Sequence, residues 1–347
     1  MVNDIRVGVI GFGLAGRIFH AAVVAETPGL ELACIVQRRG DEAAKAYPGV
    51  RIARSIEEML EDRSIHLVVV GTPSYAHFEH GMQCLRAGRN VMIDKPFALT
   101  SEEATGLIDE ARKQGVLLTA YQNRRWDGNH LTLKEVLASG RLGRVVSYES
   151  HFDRFREQPR LDVWRESGGP GGGALFDLGS HLIDQVTALF GNPRSLWADV
   201  RIDRENGAVD DAFDILMKFD GITARLHATT VAAFPGPQHV VHGTKGSFVK
   251  WGLDPQEDAL KAGAKFSDAG FGEEPESQWG TLYIPGHSAE KIKTAPGDYR
   301  GIYANVRDAI LGKAKLEVTP EQAWRTTRLI ELARLSSAEG RRVAFSN

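Results

Sequence analysis

Short apolar runs alternate with amphipathic segments from Ile5 to about Tyr121, the pattern of a parallel sheet covered by helices on both faces. The runs IRVGVIG, LELACIV, LVVVGTP, NVMIDKP and VLLTAYQ are the predicted strands. They are rich in Val, Ile and Leu because a strand buried on both faces has no polar side to present. Helix ends are legible between them. Ser55 with Glu58, and Thr100 with Glu103, have the Ser/Thr-x-x-Glu form of a capping box, and Gly88 and Gly115 stand where helix-terminating glycines belong. After Tyr121 the texture changes. The segments VVSYESHFDRF, SLWADVRID, DAFDILMKF, ITARLHATT and GSFVKW predict antiparallel strands, accompanied by a glycine-rich loop from Ser167 to Gly173. Helices are predicted over Ser180 to Phe190 and from about Pro320 to Gly340, the second with Thr319 as its N-cap. The stretch from about Asp254 to Arg300 is rich in Gly, Pro and charge without periodicity and reads as loops.

A length of 347 residues is more than one compact domain usually holds, so two are expected. The boundary falls where the texture changes, giving an α/β domain over 1–121 and an α+β domain over 122–347. With 42% hydrophobic and 25% charged residues the chain is ordinary and globular. A net charge of -3 and the lack of a basic stripe argue against nucleic acid as a partner. Cys34 and Cys84 have no second Cys or His at a ligand spacing, so neither a disulfide framework nor a metal site is expected, and a reducing compartment fits. The N-terminal apolar run is too short and too glycine-rich for a signal peptide or membrane span, which predicts a cytoplasmic protein.

Candidate chemistry begins at Gly11, Phe12, Gly13, Leu14, Ala15 and Gly16, a GxGxxG directly after the first strand and opening a helix. The first glycine permits the tight turn, the second lets backbone approach a pyrophosphate, and the third packs helix on strand. Free amides and the positive dipole end then face phosphate, so a Rossmann domain binding a dinucleotide is expected. The end of the second run contacts the adenosine ribose in such domains. It reads Ile35, Val36, Gln37, Arg38, Arg39, with no carboxylate for a free 2′-hydroxyl and two guanidiniums able to grip a 2′-phosphate. NADP is the expected cofactor; NAD is the alternative, if the arginines form a solvated turn and Asp41 reaches back to the ribose. Thr72 and Pro73 end the third run on the expected nicotinamide side, and His77 beyond them is either a cofactor contact or a capping or surface histidine.

Asp94 and Lys95 close the fourth run, again at the cofactor edge. Alone, Lys95 would more often be a surface lysine, but an ammonium there can donate to a substrate hydroxyl and stabilise the alkoxide that forms. In GGGALFDLGSHLID, Asp177 and His181 lie four residues apart and can face one side of a helix. A histidine suits removal of a hydroxyl proton near neutral pH, with a carboxylate to orient it; the plainer reading is a helix-capping hydrogen bond.

In that order and at these separations, GFGLAG, DKP and GGGALFDLGSHLID resemble the glucose-fructose oxidoreductase and inositol dehydrogenase family, Gfo/Idh/MocA, over essentially the whole chain. The resemblance implies an oxidoreductase that moves hydride between a nicotinamide and a small polyhydroxylated substrate, with Lys95, Asp177 and His181 as catalytic and substrate-binding group. Asp94 stands where the family usually has Glu. The segments IGFGLAGRIFH, TPSYAH, YQNRRWDGN and HFDRFR look most like a subgroup that includes NADP-dependent scyllo-inositol dehydrogenases. That likeness implies that Tyr121, Asn123, Arg124 and Trp126 lie near the substrate at the domain junction, with Asp153, Arg154 and Arg165 as further polar candidates. Trp126 is alternatively a core aromatic, and the arginines surface ion-pair partners. A homodimer or homotetramer built through an open, mainly antiparallel sheet of the second domain is also implied. Two other readings stand beside this one: a dinucleotide-binding sensor without chemistry, which the complete proton-transfer set argues against, and an oxidoreductase for a non-sugar substrate such as a dihydrodiol.

Overall fold

The computed structural model describes residues 4–346; Met1, Val2, Asn3 and Asn347, at the extremes of the two expected domains, lie outside it. Six parallel strands form the first sheet: β1 (Ile5–Ile10), β2 (Leu30–Val36), β3 (Arg51–Ala53), β4 (Leu67–Val70), β5 (Asn90–Ile93) and β6 (Leu118–Ala120), in the order β3-β2-β1-β4-β5-β6. The short β3 carries too few residues to show a pattern, so LVVVGTP feeds the fourth strand rather than the third. The chain runs outward from β1 to β3 and then crosses back to β4. The carboxyl ends of β1 and β4 therefore border the crevice where such sheets take their ligands.

Both capping boxes form. Ser55 Oγ and Thr100 Oγ1 each accept the N–H of the glutamate three residues on, at 3.1 Å. The Glu58 and Glu103 carboxylates reach past the cap to the N–H groups of Arg54 and Leu99, at 2.7 and 2.9 Å. The helix opened by the glycines departs from a plain α-helix, since Gly16–Ala21 is wound as a π-helix before Ala22–Ala25. Leu175–Gly179 is a second π-helical turn, leading into the helix Ser180–Phe190. Both wide turns fall on the sequence motifs, in keeping with the frequent occurrence of π-turns at functional sites.

The second sheet has nine strands: β7 (Val145–Asp153), β8 (Ser195–Arg201), β9 (Ala212–Lys218), β10 (Thr223–Thr229), β11 (His239–Gly243), β12 (Ser247–Lys250), β13 (Gly280–Tyr283), β14 (Glu290–Ile292) and β15 (Val343–Ala344). Their order is β14-β13-β12-β11-β7-β10-β9-β8-β15. The sheet is mostly antiparallel, with one correction to the expectation: β10 pairs with β7 in parallel, His227 beside His151. Alternation identifies a half-buried strand but carries no direction. Tyr148, Phe152, Phe213, Ile215 and Leu226 form the buried face, and the helix Ser180–Phe190 packs there, with the Phe190 ring 5.6 Å from Tyr148. The opposite face leaves Trp197 and Arg225 exposed.

The stretch from Asp254 to Arg300 is not all loop. It holds a helix, Gln256–Lys261, as well as β13 and β14. Long-range ties order it rather than periodicity. Lys250 Nζ meets buried Glu274 at 2.9 Å, and Asp254 accepts the Gly128 N–H at 2.6 Å. Two helices without a strong signal also appear, Gly128–Ala138 and Arg300–Ile310. Compactness divides the chain into two units that are not consecutive blocks: the first runs through Asn123 and takes Leu260–Ser267 and Tyr299–Thr327, and the second is the remainder. Within the first, Thr119 Oγ1 donates to the Val318 carbonyl at 2.7 Å. Among the described residues no helix is long and apolar enough to cross a membrane.

Candidate functional site

The glycine turn passes so close to its own helix that a Cβ on Gly16 would fall 2.0 Å from the Gly11 oxygen. A Cβ on Gly13 would meet nothing within 4 Å, the open approach a pyrophosphate requires. The Gly11 N–H bonds the Val36 carbonyl at 3.0 Å and ties the turn to the end of β2. Leu14 is exposed beside it, Ala15 is half-buried, and Phe12 sets its ring edge-on to Tyr47. These residues fit a dinucleotide.

At the end of β2, Gln37 is occupied locally. Its oxygen accepts the Ala43 N–H at 2.9 Å and its amide bonds Glu42. Asp41 pairs with Lys45 at 2.9 Å. Arg38 and Arg39 are exposed, and neither guanidinium makes a hydrogen bond or ion pair among the described residues. Arg54, not foreseen from the sequence, donates to the carbonyls of Gln37 and Gly40 at 3.0 and 2.8 Å and fixes the loop that carries them.

Beyond β4, Thr72 Oγ1 lies 3.1 Å from His80 Nδ1. His77 is buried between the loop after β4 and the loop after β5, with Nε2 2.8 Å from the Thr72 carbonyl and Nδ1 2.7 Å from the Pro96 carbonyl. Burial pushes its pKa down, against the pull of Asp94 and the two carbonyls. The Lys95–Pro96 peptide is cis, and the Lys95 N–H donates to Asp94 Oδ1 at 2.8 Å.

Asp94 belongs to a buried polar chain. Its Oδ2 is 3.6 Å from His20 Nε2, and His20 Nδ1 is 2.8 Å from the Tyr303 hydroxyl, with the Tyr121 ring edge-on to the imidazole at 4.6 Å. His20 and Tyr303 were missed by sequence reasoning. His20 stood inside IGFGLAGRIFH, but Tyr303 comes from a helix with no motif. Burial would raise the Asp94 pKa, but His20, Lys95 and His77 together hold it down to about 2. A carboxyl lowered in this way stabilises the fold above its unfolded value near 4, and that contribution fades as the pH falls toward 2. Asp94→Asn should therefore remove roughly 2 kcal/mol of the stability the protein loses between pH 4 and 2. Urea unfolding at several acid pH values checks this, and parallel acid limbs for variant and wild type would refute it.

In the second unit the glycine-rich segment is shaped by close passage. Gly173 has φ +96°, and a Cβ there would fall 2.4 Å from an Asp210 oxygen. Asp210 accepts the Leu175 N–H at 2.7 Å on Oδ2 and meets Arg334 at 3.0 Å, so it caps the helical turn that carries Asp177. Burial raises its pKa. Asp210→Ala is expected to cost about 1–2 kcal/mol and to lower Tm by about 2–6 °C, measured by calorimetry; an unchanged Tm would remove the capping role. Asp177 lies 3.7 Å from the Arg165 guanidinium, and His181 is buried on the following helix.

That helix is tied to the segment after β6. Arg125 forks onto buried Asp184 at 2.7 and 2.6 Å, and Gln185 donates to the Arg124 carbonyl at 2.8 Å. The Arg124 guanidinium is buried, pairs with Asp127 at 3.2 Å and with Glu257, and lies 4.9 Å from the Phe152 ring. Arg154 approaches the same ring at 4.7 Å. The Trp126 carbonyl accepts from Gln256 and from Asp298 N–H, and Asn123 and Tyr121 are buried in the first unit. Asp153 does not join this group. Strand alternation turns it to the opposite face of β7 from Phe152, where it meets His151 and His227, each at 3.6 Å.

Comparison with known proteins identifies the family. Residues 5–122 match the family described as "Oxidoreductase family, NAD-binding Rossmann fold" of GFO_IDH_MocA, and residues 134–345 match its "Oxidoreductase family, C-terminal alpha/beta domain". The chain is 40% identical over 350 residues to the uncharacterized oxidoreductase YdgJ of Escherichia coli (strain K12), covering 98% of each. It is 36% identical over 349 residues to the scyllo-inositol 2-dehydrogenase (NADP(+)) IolW of Bacillus subtilis (strain 168), covering 100% of this chain and 97% of that one. A solved structure of the oxidoreductase YvaA from Bacillus subtilis superposes with a TM-score of 0.96 at 36% identity over 100% of both chains.

Proposed function

The chain belongs to the Gfo/Idh/MocA oxidoreductase family, and from that premise we propose that it is an NADP-dependent dehydrogenase for a secondary alcohol of a cyclitol such as scyllo-inositol, or of a sugar. In reverse it would reduce the corresponding ketone. The observation that carries the reading is the end-to-end likeness to the NADP(+)-dependent scyllo-inositol 2-dehydrogenase. The unengaged Arg38 and Arg39 support the cofactor.

Gly11, Gly13 and Gly16 would hold the pyrophosphate, with Arg38 and Arg39 on the 2′-phosphate. When bound, NADP supplies the acceptor for the substrate's hydride. The chain's own side chains handle the proton. His181 accepts it from the substrate hydroxyl, Asp177 orients the imidazole, and the Lys95 ammonium donates to the same oxygen and stabilises the charge that develops there. Tyr121, Asn123, Arg124, Trp126, Arg154 and Arg165 are the candidates for reading the remaining hydroxyls. We place the protein in the cytoplasm, where its two buried, unbridged cysteines suit a reducing medium. Copies would pair through the open face of the nine-stranded sheet, where Trp197 is exposed.

The deciding experiment is NADP reduction against a panel of cyclitols, aldoses and sugar acids, with NAD in parallel. Turnover with an inositol and NADP is the expected result. Tight NADPH binding with no turnover on any member of the panel would overturn the assignment.

A further inference from the structure

The open face of the nine-stranded sheet carries a group of side chains that the proposed reaction does not use. His151 and Asp153 are two residues apart on β7 and share a face, and His227 stands beside His151 on β10. Asp153 Oδ2 lies 3.6 Å from His151 Nδ1, and Asp153 Oδ1 lies 3.6 Å from His227 Nε2. These separations are too long for hydrogen bonds. They are close to the roughly 3.4 Å between neighbouring donors of a tetrahedral ion with ligands at about 2.1 Å.

A second observation points the same way. The Asp153 side chain is only 5% exposed, yet its Oδ1 has no hydrogen-bond partner among the described residues; its Oδ2 accepts the Gly236 N–H at 2.7 Å. A buried carboxylate oxygen left without a donor is costly unless something cationic completes it. The outer nitrogens of both imidazoles are backed by carboxylates. His227 Nδ1 is 3.0 Å from Asp214 Oδ1, and His151 Nε2 is 3.7 Å from Glu149. The Asp214 carboxylate behind His227 Nδ1 fixes the proton there and leaves the Nε2 lone pair facing inward, the arrangement that prepares a histidine as a metal ligand. The backbone also leaves room, because a Cβ on Gly236 would fall 2.9 Å from His151 Nδ1 and 3.2 Å from Asp153 Oδ2.

We propose that His151 Nδ1, the Asp153 carboxylate and His227 Nε2 bind one divalent transition-metal ion of the zinc type, with the fourth position open. Two imidazoles and one carboxylate suit Zn²⁺ rather than the all-oxygen sets taken by Mg²⁺ or Ca²⁺. The inference is independent of the reaction proposed above.

The test is calorimetric titration of Zn²⁺ into full-length protein stripped with chelator, at about pH 7.5. One ion per chain is expected, with Kd of about 10 µM or tighter. His227→Gln and His151→Gln should each weaken binding at least about 30-fold, and Asp214→Asn by about 10- to 100-fold. Gly236→Ala removes no ligand but fills the space, so it should also abolish uptake, and it decides the matter if a histidine variant does not fold. No stoichiometric uptake by the wild type would overturn the proposal and leave the cluster as an ion-pair network. Uptake unchanged in both histidine variants and in Gly236→Ala would overturn it equally. The oligomeric state, recorded on the same samples, separates loss of the ion from loss of the sheet face.

Discussion

With Lys95 replaced by methionine, kcat is expected to fall by about 10²- to 10⁴-fold while Kd for NADPH stays within about threefold. Methionine keeps most of the apolar stem and removes the charge. What is lost is the donor to the substrate oxygen at the moment that oxygen becomes negative. The loop that carries this donor is ordered locally, since the Lys95 N–H is fixed on Asp94, and the Asp94 carboxylate faces the His20 imidazole at 3.6 Å. His181→Gln should bring a loss of similar size, and the double variant little more than either alone, because residues acting on one proton transfer are not additive. The readout is steady-state turnover beside a fluorescence titration of NADPH. Turnover unchanged in the lysine variant would remove Lys95 from the chemistry; a parallel collapse of NADPH binding would recast it as a cofactor ligand.

Removing both arginines at the end of β2, Arg38→Ala with Arg39→Ala, should weaken NADPH about 30- to 300-fold and leave NADH within about threefold. Two charge-assisted contacts to the 2′-phosphate, at about 1–1.7 kcal/mol each, account for that range. The selectivity of the loss is the informative part. A general weakening of both cofactors would mean that the loop had collapsed, for which Arg54→Ala is the control, since Arg54 holds the loop by its carbonyls. No change for NADPH would return the arginines to the solvent and reopen NAD as the cofactor.

What the sequence made legible follows from how local each signal is. The glycine turn, the capping boxes at Ser55 and Thr100, and Lys95 at a strand end are each set within a few residues, and the structure has them where the pattern put them. The parallel pairing of β7 with β10 was not visible, because alternation does not record strand direction. Asp153 was grouped with Arg154 through the subgroup likeness of the HFDRFR segment, although adjacent residues of a strand face opposite ways. His77 read equally as a cofactor contact or as a capping or surface histidine, and its place between the Thr72 and Pro96 carbonyls depends on two loops that no local pattern brings together. Tyr303, Asp210 and the His151, Asp153 and His227 group depend on strands and helices distant in the chain. No spacing rule brings such residues together. The metal-ligand patterns legible in a sequence are those with ligands close along it, which is why the two cysteines were weighed there and these histidines were not.

The division of the first unit among distant parts of the chain bears on how the protein is made. His20 awaits Tyr303, and Thr119 awaits Val318, both of which leave the ribosome some 200 residues after Asn123 has been joined. At about 5–20 residues per second that is a delay of roughly 10–40 s. Throughout it the six-stranded sheet can form, but the polar chain under Asp94 lacks its last member. The first unit thus becomes complete only near the end of translation.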